Sequence, residues 1–429
     1  MSLLVYAHGR RAGTLDMEAG EPFYGFIYSQ DYLALPDAVP LSLSLPLREE
    51  RFSGAQSLPF FEGLLPEGDV RASMAKQLGI SENSPAKLLR ALGRDCAGDV
   101  AVLEEDDPYQ PPANDKYLLL DEDLGGIARN PYGTISRLRA GNRLSLAGGQ
   151  EKIALYHDAR ESMSQGWYVP MHGSPSTHIV KPQVNEAYPQ LVYNEFLCMR
   201  LAGLIGMQAA EVEMVVLERP LLVVRRFDRW PTGETSEEGL ALFARLRQED
   251  FCQALGVTSA QKYEQDGGPG VAAVCEALLT HSASALDDRS SLLRLLAFNY
   301  LVGNCDAHGK NYSIMLGSKE AVRLAPAYDL LSTTVYDGEF GAELSRGMGM
   351  RIGAHSNIDR IGGGDFALLA EEVGVSKRYL LGILHEVADG VASRFDDAAQ
   401  MLADVAAEDV SQLVERMKAG IDRRSEAIG

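Results

Sequence analysis

The residues with the clearest potential for chemistry lie between positions 304 and 311. Asp306 and Asn311 form a D-x-x-x-x-N pattern, after an apolar helical pattern at Leu292–Asn299 and before a strand pattern at Tyr312–Leu316. Phosphoryl transfer needs a carboxylate that accepts the proton of the attacking hydroxyl, and an amide oxygen that holds Mg²⁺. The spacing therefore predicts Asp306 as catalytic base and Asn311 as metal ligand. The alternative is that both side chains form Asx turns beside Gly309.

A second carboxylate follows further along the chain. Asp329 comes after the apolar run Val322–Leu324 and a turn at 325–328, where a kinase places its second metal-binding carboxylate. Asn311 and Asp329 are thus the predicted Mg²⁺ ligands, at the two ends of one hairpin. His308, two residues after Asp306, is a candidate for contact with a nucleotide phosphate, and packing within the loop is its alternative role.

Residues 145–152 read Ser-Leu-Ala-Gly-Gly-Gln-Glu-Lys and join two strand-like segments. Paired glycines allow backbone N–H groups to approach phosphate oxygens without obstruction by Cβ, although a plain hairpin turn would use the same pair. The phosphate-binding interpretation gives a set of candidate nucleotide contacts: Ala147, Gly148, Gly149, Gln150, Glu151 and Lys152.

Two further charged residues complete a recognisable order. The strand pattern Thr177–Val180 leads to Lys181, and the helical pattern Tyr193–Leu204 carries Glu195, which is predicted to orient that lysine. Taken singly, each would be an ordinary surface charge. The order of glycine loop, lysine, helix glutamate, D-x-x-x-x-N and metal carboxylate is nevertheless that of protein kinases.

The elements around these residues predict an α+β chain with a protein-kinase-like two-lobed fold and an additional small N-terminal α+β domain. Residues 1–104 form that domain, and the acidic, proline-rich segment 105–117 is a linker. Short β-like runs predict a strand-rich N-lobe with the glycine loop at 118–227. A mostly helical C-lobe with the catalytic and metal-binding residues follows at 228–429, where Ser376 can cap a long helix.

Composition excludes several classes of function. The 429 residues hold 40 Lys and Arg against 60 Asp and Glu, and the net charge of −20 disfavours direct binding of bare nucleic acid. Five scattered cysteines without a C-x-x-C pair suggest neither a zinc site nor a disulfide framework, and favour a cytoplasmic location. No stretch is apolar enough to predict a signal peptide or membrane span.

One glycine-rich segment nearly matches a nucleotide-binding motif. Gly347–Gly353 misses the Rossmann glycine spacing by one residue and predicts ordinary turns or bulges.

Several motifs resemble the HipA family of toxin kinases, and the resemblance spans nearly the whole chain. The motifs are the 145–152 loop, Thr177–Lys181, Arg226–Arg229, Gln248–Phe251, Asp306–Asn311 and Ala327–Asp329, with Phe60–Gly68 and Gly93–Asp99 in the N-terminal region. One departure is Arg225, which stands where the family usually has an acidic residue before R-F-D-R. Nucleotide contacts are therefore expected from the backbone of Arg225, Arg226 and Phe227.

The resemblance implies an ATP- and Mg²⁺-dependent serine/threonine protein kinase that arrests growth by phosphorylating a cellular protein, such as an aminoacyl-tRNA synthetase. It also implies autophosphorylation at Ser145, which would silence the enzyme because a phosphate adds negative charge to a loop that cradles ATP phosphates. The implied partner is a HipB-like helix-turn-helix antitoxin in a 2:2 complex, which would bring the kinase to operator DNA as a corepressor.

Two other functions remain open at this stage. A small-molecule kinase of the aminoglycoside-phosphotransferase type shares the lobes, the D-x-x-x-x-N pattern and the metal carboxylate, so spacing does not separate it from a protein kinase. A non-catalytic corepressor that assembles with a DNA-binding partner is the second alternative. The presence of Lys181, Asp306, Asn311 and Asp329 argues against the latter.

Overall fold

A computed structural model describes residues 2–16, 23–107, 109, 116–120, 122, 124–142, 148–317 and 321–429. The chain divides into two compact units. Unit 1 comprises Met1–Pro182, Val223–Ala260 and Ile314–Val322, and unit 2 comprises Gln183–Leu222, Gln261–Ser313 and Arg323–Gly429.

The described residues of unit 1 up to Leu103 form an antiparallel sheet covered by helices. The sheet has the order β3-β2-β1-β4, with β1 at Ser2–Ala7, β2 at Arg10–Asp16, β3 at Gly25–Tyr28 and β4 at Ala101–Leu103. The helices are α1 (Gln30–Leu33), α2 (Gly54–Gly63), α3 (Gly68–Leu78) and α4 (Pro85–Leu92). A capping box in which Ser53 accepts from the Gln56 N–H starts α2. Apolar residues of both layers form one core, which confirms the predicted α+β module.

The rest of unit 1 contains short strands and small helices. After β5 (Lys116–Leu119) come α5 (Gly125–Arg129), α6 (Pro131–Asn142), β6 (Ile153–His157), β7 (Trp167–Met171) and β8 (His178–Pro182). These strands lie in the order β5-β7-β6-β8, and β6 is antiparallel to both of its neighbours. The apolar, fully buried pattern of β6 suits a central position in the sheet.

Unit 2 is mainly helical. Its α7 (Leu191–Leu204) precedes β9 (Val212–Val216), which is hydrogen-bonded to β10 (Pro220–Arg225). The remaining helices are α9 (Val271–His281), α10 (Ala285–Val302), α11 (Gly363–Glu372), α12 (Lys377–Val405) and α13 (Ser411–Ile428). Ser376 caps α12 by accepting from the Tyr379 N–H, as the sequence predicts.

Two parts of the secondary structure differ from expectation. The sequence does not predict α5 and α6, because glycines interrupt their apolar periodicity. A mostly helical C-lobe was expected from residue 228, yet three strands come first: β11 (Arg229–Thr235), β12 (Ala241–Arg245) and β13 (Arg247–Asp250). The short helix α8 (Phe251–Ala254) follows them. The β11–β12 ribbon is largely exposed, so its strands lack the apolar alternation by which a strand is recognised.

The predicted domain boundaries stay predictions. Within the described ranges, no helix has both the length and the apolar character required to cross a membrane.

Candidate active site

The end of α10 delivers the loop that carries Asp306. The helix terminates in a Schellman-type turn, in which Gly303 has a φ of +81° and the Asn304 N–H donates to the Asn299 carbonyl at 2.8 Å. Glycine suits this position because its left-handed backbone is unfavourable for residues with a Cβ. The Thr333 hydroxyl then accepts from the Cys305 N–H at 2.9 Å and donates to the Gly303 carbonyl at 3.0 Å. The start of the loop is therefore held by both backbone and side chain.

Asp306 presents its carboxylate to solvent instead of using it in a turn. The side chain is 49% exposed, and Oδ1 accepts from the hydroxyl of Tyr263 at 2.6 Å. The Asx turn in this loop belongs to Asn304, whose Oδ1 accepts from the Asp306 N–H at 3.2 Å. The expected alternative role of Asp306 as a turn-forming side chain is therefore not what the structure shows.

Asn311 ends a 3-10 turn at Gly309–Asn311 and precedes β14 (Ser313–Leu316). Its Oδ1 atom is buried and has no hydrogen-bond partner among the residues that the structure describes. A buried carbonyl oxygen without a partner is costly, and it is a common feature of sites that receive an ion or ligand. An amide oxygen is also a ligand type that Mg²⁺ accepts, so Asn311 fits the predicted metal role.

Asp329 follows β15 (Val322–Leu324) and has a left-handed backbone, with a φ of +53°. Such a conformation is uncommon for a residue other than glycine and recurs at functional sites. The neighbouring Tyr328 hydroxyl donates to the Lys310 carbonyl at 2.7 Å and lies 2.5 Å from the Ser313 hydroxyl. These contacts join the segment that bears Asp329 to the segment that bears Asn311. An amide and a carboxylate on adjoining segments are a donor set suited to Mg²⁺ with substrate phosphates.

A strand with an irregular register, in the segment where the sequence predicts turns or bulges, supports this loop. Gly347–Gly353 contains β16 (Gly347–Ile352), whose pairing with β17 (His355–Asn357) has an irregular register. The Gly349 N–H donates to the Cys305 carbonyl at 2.7 Å, and a Cβ at Gly349 would lie 2.7 Å from backbone atoms of Ala307 and His308. Only glycine permits this approach.

His308 packs within the loop. Its ring meets the Tyr263 ring edge to face, with centroids 5.0 Å apart, and its Nε2 lies 4.0 Å from Asp306 Oδ1. This arrangement matches the loop-packing role, and contact with a nucleotide phosphate stays a prediction. Burial raises the pKa of the nearby Cys305 thiol, so this cysteine stays protonated at neutral pH.

The glycine loop belongs to unit 1. Ser145 and Ala147 lie outside the described residues. Gly148 has a φ of +101°, its carbonyl accepts from the Glu67 N–H at 3.3 Å, and a Cβ there would lie 2.8 Å from Lys152 Nζ. A Cβ at Gly149, by contrast, would meet nothing within 4 Å. Open space beside a glycine backbone, close to a lysine ammonium, fits a phosphate-binding loop.

The end of the glycine loop, at residues 150–152, contacts α6 through Arg139. Gln150 is half-buried, and Glu151 forms an ion pair with Arg139 at 2.7 Å. Burial raises the pKa of Glu151 despite the opposing effect of Arg139. Arg139 also donates to the Lys152 carbonyl. Glu151 therefore anchors the loop to the helix, a role that the sequence does not predict.

Lys181 and Glu195 are both almost fully buried. Lys181 stands on β8 with 3% exposure, and Glu195 stands on α7 with 2% exposure. By residue type alone Glu195 would be an ordinary surface charge, but α7 is buried on all sides from Val192 to Met199. Burial of charged residues is rare without a structural or functional reason. The two belong to different units, and the predicted orientation of Lys181 by Glu195 stays a prediction.

The R-F-D-R segment anchors the N-terminal region of unit 1. Arg226 donates to Asp228 through Nε at 2.9 Å and Nη2 at 2.6 Å, and its N–H donates to the Thr177 carbonyl. Asp228 also accepts from the Gly98 N–H at 2.8 Å, and Arg229 donates to the Gly98 carbonyl at 3.0 Å.

Arg225 is exposed and Phe227 half-buried. Nucleotide contacts from Arg225, Arg226 and Phe227 stay predictions, and the side chain of Arg226 is committed to its ion pair.

Known proteins share both the sequence and the fold. The HipA-like C-terminal domain family matches residues 144–395, and the HipA N-terminal domain family matches residues 3–103. The chain belongs to the HipA family of kinase toxins. The first of these matches includes Asp306, Asn311 and Asp329, whose catalytic and metal-binding roles stay predictions.

Individual relatives of the HipA family match along most of their length. Protein Y4mE of Sinorhizobium fredii is 38% identical over 394 residues, which cover 89% of each chain. The serine/threonine-protein kinase toxin HipA of Shewanella oneidensis is 29% identical over 402 residues, 91% of this chain and 87% of the relative. A solved complex of Shewanella oneidensis HipA with HipB and operator DNA matches with a TM-score of 0.80 and 25% identity, covering 99% of this chain and 97% of that one. The predicted kinase-like α+β fold is confirmed.

Proposed function

We propose that this HipA-family chain is an ATP-dependent serine/threonine protein kinase with Asp306 as its general base. The observation that carries the proposal is the loop that follows α10. Its Asp306 carboxylate is half-exposed, while the buried Oδ1 of Asn311 lacks a partner among the described residues. A solvent-accessible carboxylate and a nearby unsatisfied amide oxygen are the two groups that phosphoryl transfer requires from such a loop.

Within this proposal, Asn311 and Asp329 would hold Mg²⁺. The metal, when bound, neutralises charge that develops on the transferred phosphoryl group. Asp306 accepts the proton of the attacking serine or threonine hydroxyl. The left-handed backbone of Asp329 and the Tyr328 contact with Lys310 fix the carboxylate and the amide on adjoining segments. Little reorganisation is then needed at the moment of transfer.

The glycine loop and Lys181 would bind the ATP phosphates. A Cβ at Gly149 would meet nothing within 4 Å, which leaves open space beside the loop, and the buried Lys152 and Lys181 supply positive charge. Autophosphorylation of Ser145 in the same loop would repel the nucleotide, which would make it an inhibitory modification.

The relatives support the proposed toxin role and its proposed partner. The complex of Shewanella oneidensis HipA contains HipB and operator DNA. By analogy, we propose that a HipB-like antitoxin neutralises this chain and links it to operator DNA in a 2:2 assembly. The net charge of −20 favours a basic partner. The target in this proposal is a cellular protein such as an aminoacyl-tRNA synthetase, and the location is the cytoplasm.

The test is transfer of label from γ-³²P-ATP in an extract of the host cell. The extract is divided by gel filtration into proteins and small molecules, and each fraction is incubated with the purified chain and Mg²⁺. We expect label on serine or threonine in the protein fraction, and none with the matched variant Asp306→Asn. Label in the small-molecule fraction alone would establish the aminoglycoside-phosphotransferase type of activity instead. Absence of transfer to either fraction would favour the non-catalytic corepressor.

A further inference from the structure

A tyrosine outside the family motifs quoted above contacts the proposed base. Tyr263 lies in the segment between α8 and α9, 43 positions before Asp306, and donates its hydroxyl to Asp306 Oδ1 at 2.6 Å. A hydroxyl that donates to an ionised carboxylate forms a short, charge-assisted hydrogen bond. We infer that Tyr263 is a positioning residue that fixes the orientation of the Asp306 carboxylate. This inference rests on the proposed role of Asp306 as general base.

The segment that carries Tyr263 is itself held against the loop. The preceding Lys262 carbonyl accepts from the Gly309 N–H at 3.2 Å. On the other side, Glu264 accepts from the Arg351 N–H at 2.7 Å and pairs with the Arg351 guanidinium at 3.1 Å. Both neighbours of Tyr263 are thus tied to the loop or to β16, which supports the loop. A hydroxyl held in this way can fix the orientation of the carboxylate to which it donates.

The contact leaves half of the base accessible. Tyr263 and His308 both approach Oδ1 of Asp306, the first at 2.6 Å and the second at 4.0 Å. None of the contacts among the described residues engages Oδ2, and the Asp306 side chain is 49% exposed to solvent. The tyrosine therefore does not cover the base. It holds one oxygen and leaves the other to receive the acceptor proton.

Fixing the carboxylate matters because its terminal torsion is soft. Without a partner, the aspartate torsion that turns the carboxylate samples a broad range of angles. General bases commonly have a third group that orients them toward the nucleophile, and misplacement of a reacting group lowers the rate without weakening ATP binding. The missing hydroxyl should thus reduce the rate at saturating ATP and leave the KM for ATP unchanged.

The test compares two substitutions that each remove one phenolic hydroxyl in unit 2. Tyr263→Phe keeps the ring that packs on His308, and the control Tyr300→Phe removes a buried hydroxyl that donates to the Ile361 carbonyl at 2.8 Å. The readouts are the initial rate of label transfer to host-cell protein at saturating ATP, the KM for ATP, and the melting temperature. We expect Tyr263→Phe to lower the rate about tenfold with unchanged KM. We expect Tyr300→Phe to lower only the melting temperature.

Each other outcome contradicts the inference. A Tyr263→Phe rate within twofold of wild type would show that the hydroxyl does not position the base, and a higher rate would show that it blocks the acceptor. Equal losses of rate in both variants would indicate a general structural effect. The variant Asp306→Asn distinguishes failure of the proposed function from failure of the inference about Tyr263. If Asp306→Asn transfers label at the wild-type rate, then the proposed function fails. If Asp306→Asn is inactive while Tyr263→Phe has the wild-type rate, only the inference about Tyr263 fails.

Discussion

Substitution of Gly349 by alanine should displace the loop that carries Asp306, the proposed base, because β16 packs against that loop. The added Cβ would lie 2.7 Å from backbone atoms of Ala307 and His308, whereas carbon atoms in ordinary contact lie about 3.5–4 Å from such neighbours. The loop and β16 must therefore separate by roughly 0.8 Å or more. Overpacking of this kind costs about 1–3 kcal/mol, and the hydrogen bond to the Cys305 carbonyl is strained as well. A misplacement near 1 Å can lower a catalytic rate about 100-fold.

The assay measures label transfer to host-cell protein at saturating ATP together with the melting temperature. The matched control is Gly382→Ala in the second turn of α12, where a Cβ would meet nothing within 4 Å. There the substitution should stabilise the helix by about 0.5–1 kcal/mol and leave the rate unchanged. Wild-type rate and melting temperature in Gly349→Ala would refute the argument that this glycine permits the close approach.

Three further predictions concern the metal, a buried ion pair and a buried acid. Asn311→Ala should raise the Mg²⁺ concentration for half-maximal transfer at least about tenfold, measured by titration, and an unchanged midpoint would contradict its role as ligand. Burial opposes the charge of Asp228, but Arg226 and Arg229 outweigh it and hold its pKa well below the usual range. Asp228→Asn should therefore cost about 3–5 kcal/mol at neutral pH, seen in denaturant unfolding, and its effect should diminish as the pH falls toward the folded-state pKa. Burial raises the pKa of Glu249 to about 8. The folded chain then holds a proton that the unfolded chain releases above about pH 4.5, so this group lowers stability as the pH rises toward 8. The melting temperature of Glu249→Gln should exceed that of wild type by a margin that grows from pH 5 to 8, and a constant margin would contradict the raised pKa.

Local patterns predicted the elements that bear the proposed chemistry. Apolar spacing indicated α7, α10 and α12, and the N-cap of α12 at Ser376 was recognisable from residue type. The hairpin formed by β14 and β15 was equally predictable, because short apolar runs border Asn311 and Asp329. These signals come from neighbours in the chain, which is why a single sequence reveals them.

Contacts between distant positions were not predictable in the same way. Tyr263 contacts Asp306 across 43 positions of the chain, and Gly349 contacts Cys305 across a similar sequence separation. No local periodicity in the sequence predicts either contact. The closely spaced glycines around Gly349 did carry a usable signal, because repeated glycine in a strand often marks close backbone approach. Glu195 illustrates a different limit. Its charge suggested an exposed helix face, and tertiary packing buried it.

The most direct measurement compares wild type and Asp306→Asn in a single turnover, with the chain in excess over γ-³²P-ATP and with ATP binding measured separately. If Asp306 accepts the acceptor proton, then ATP should bind equally well to both proteins, while label transfer to host-cell protein should fall by about 100- to 10,000-fold in the variant. Transfer by Asp306→Asn within a few-fold of wild type would contradict the assignment of Asp306 as the catalytic base.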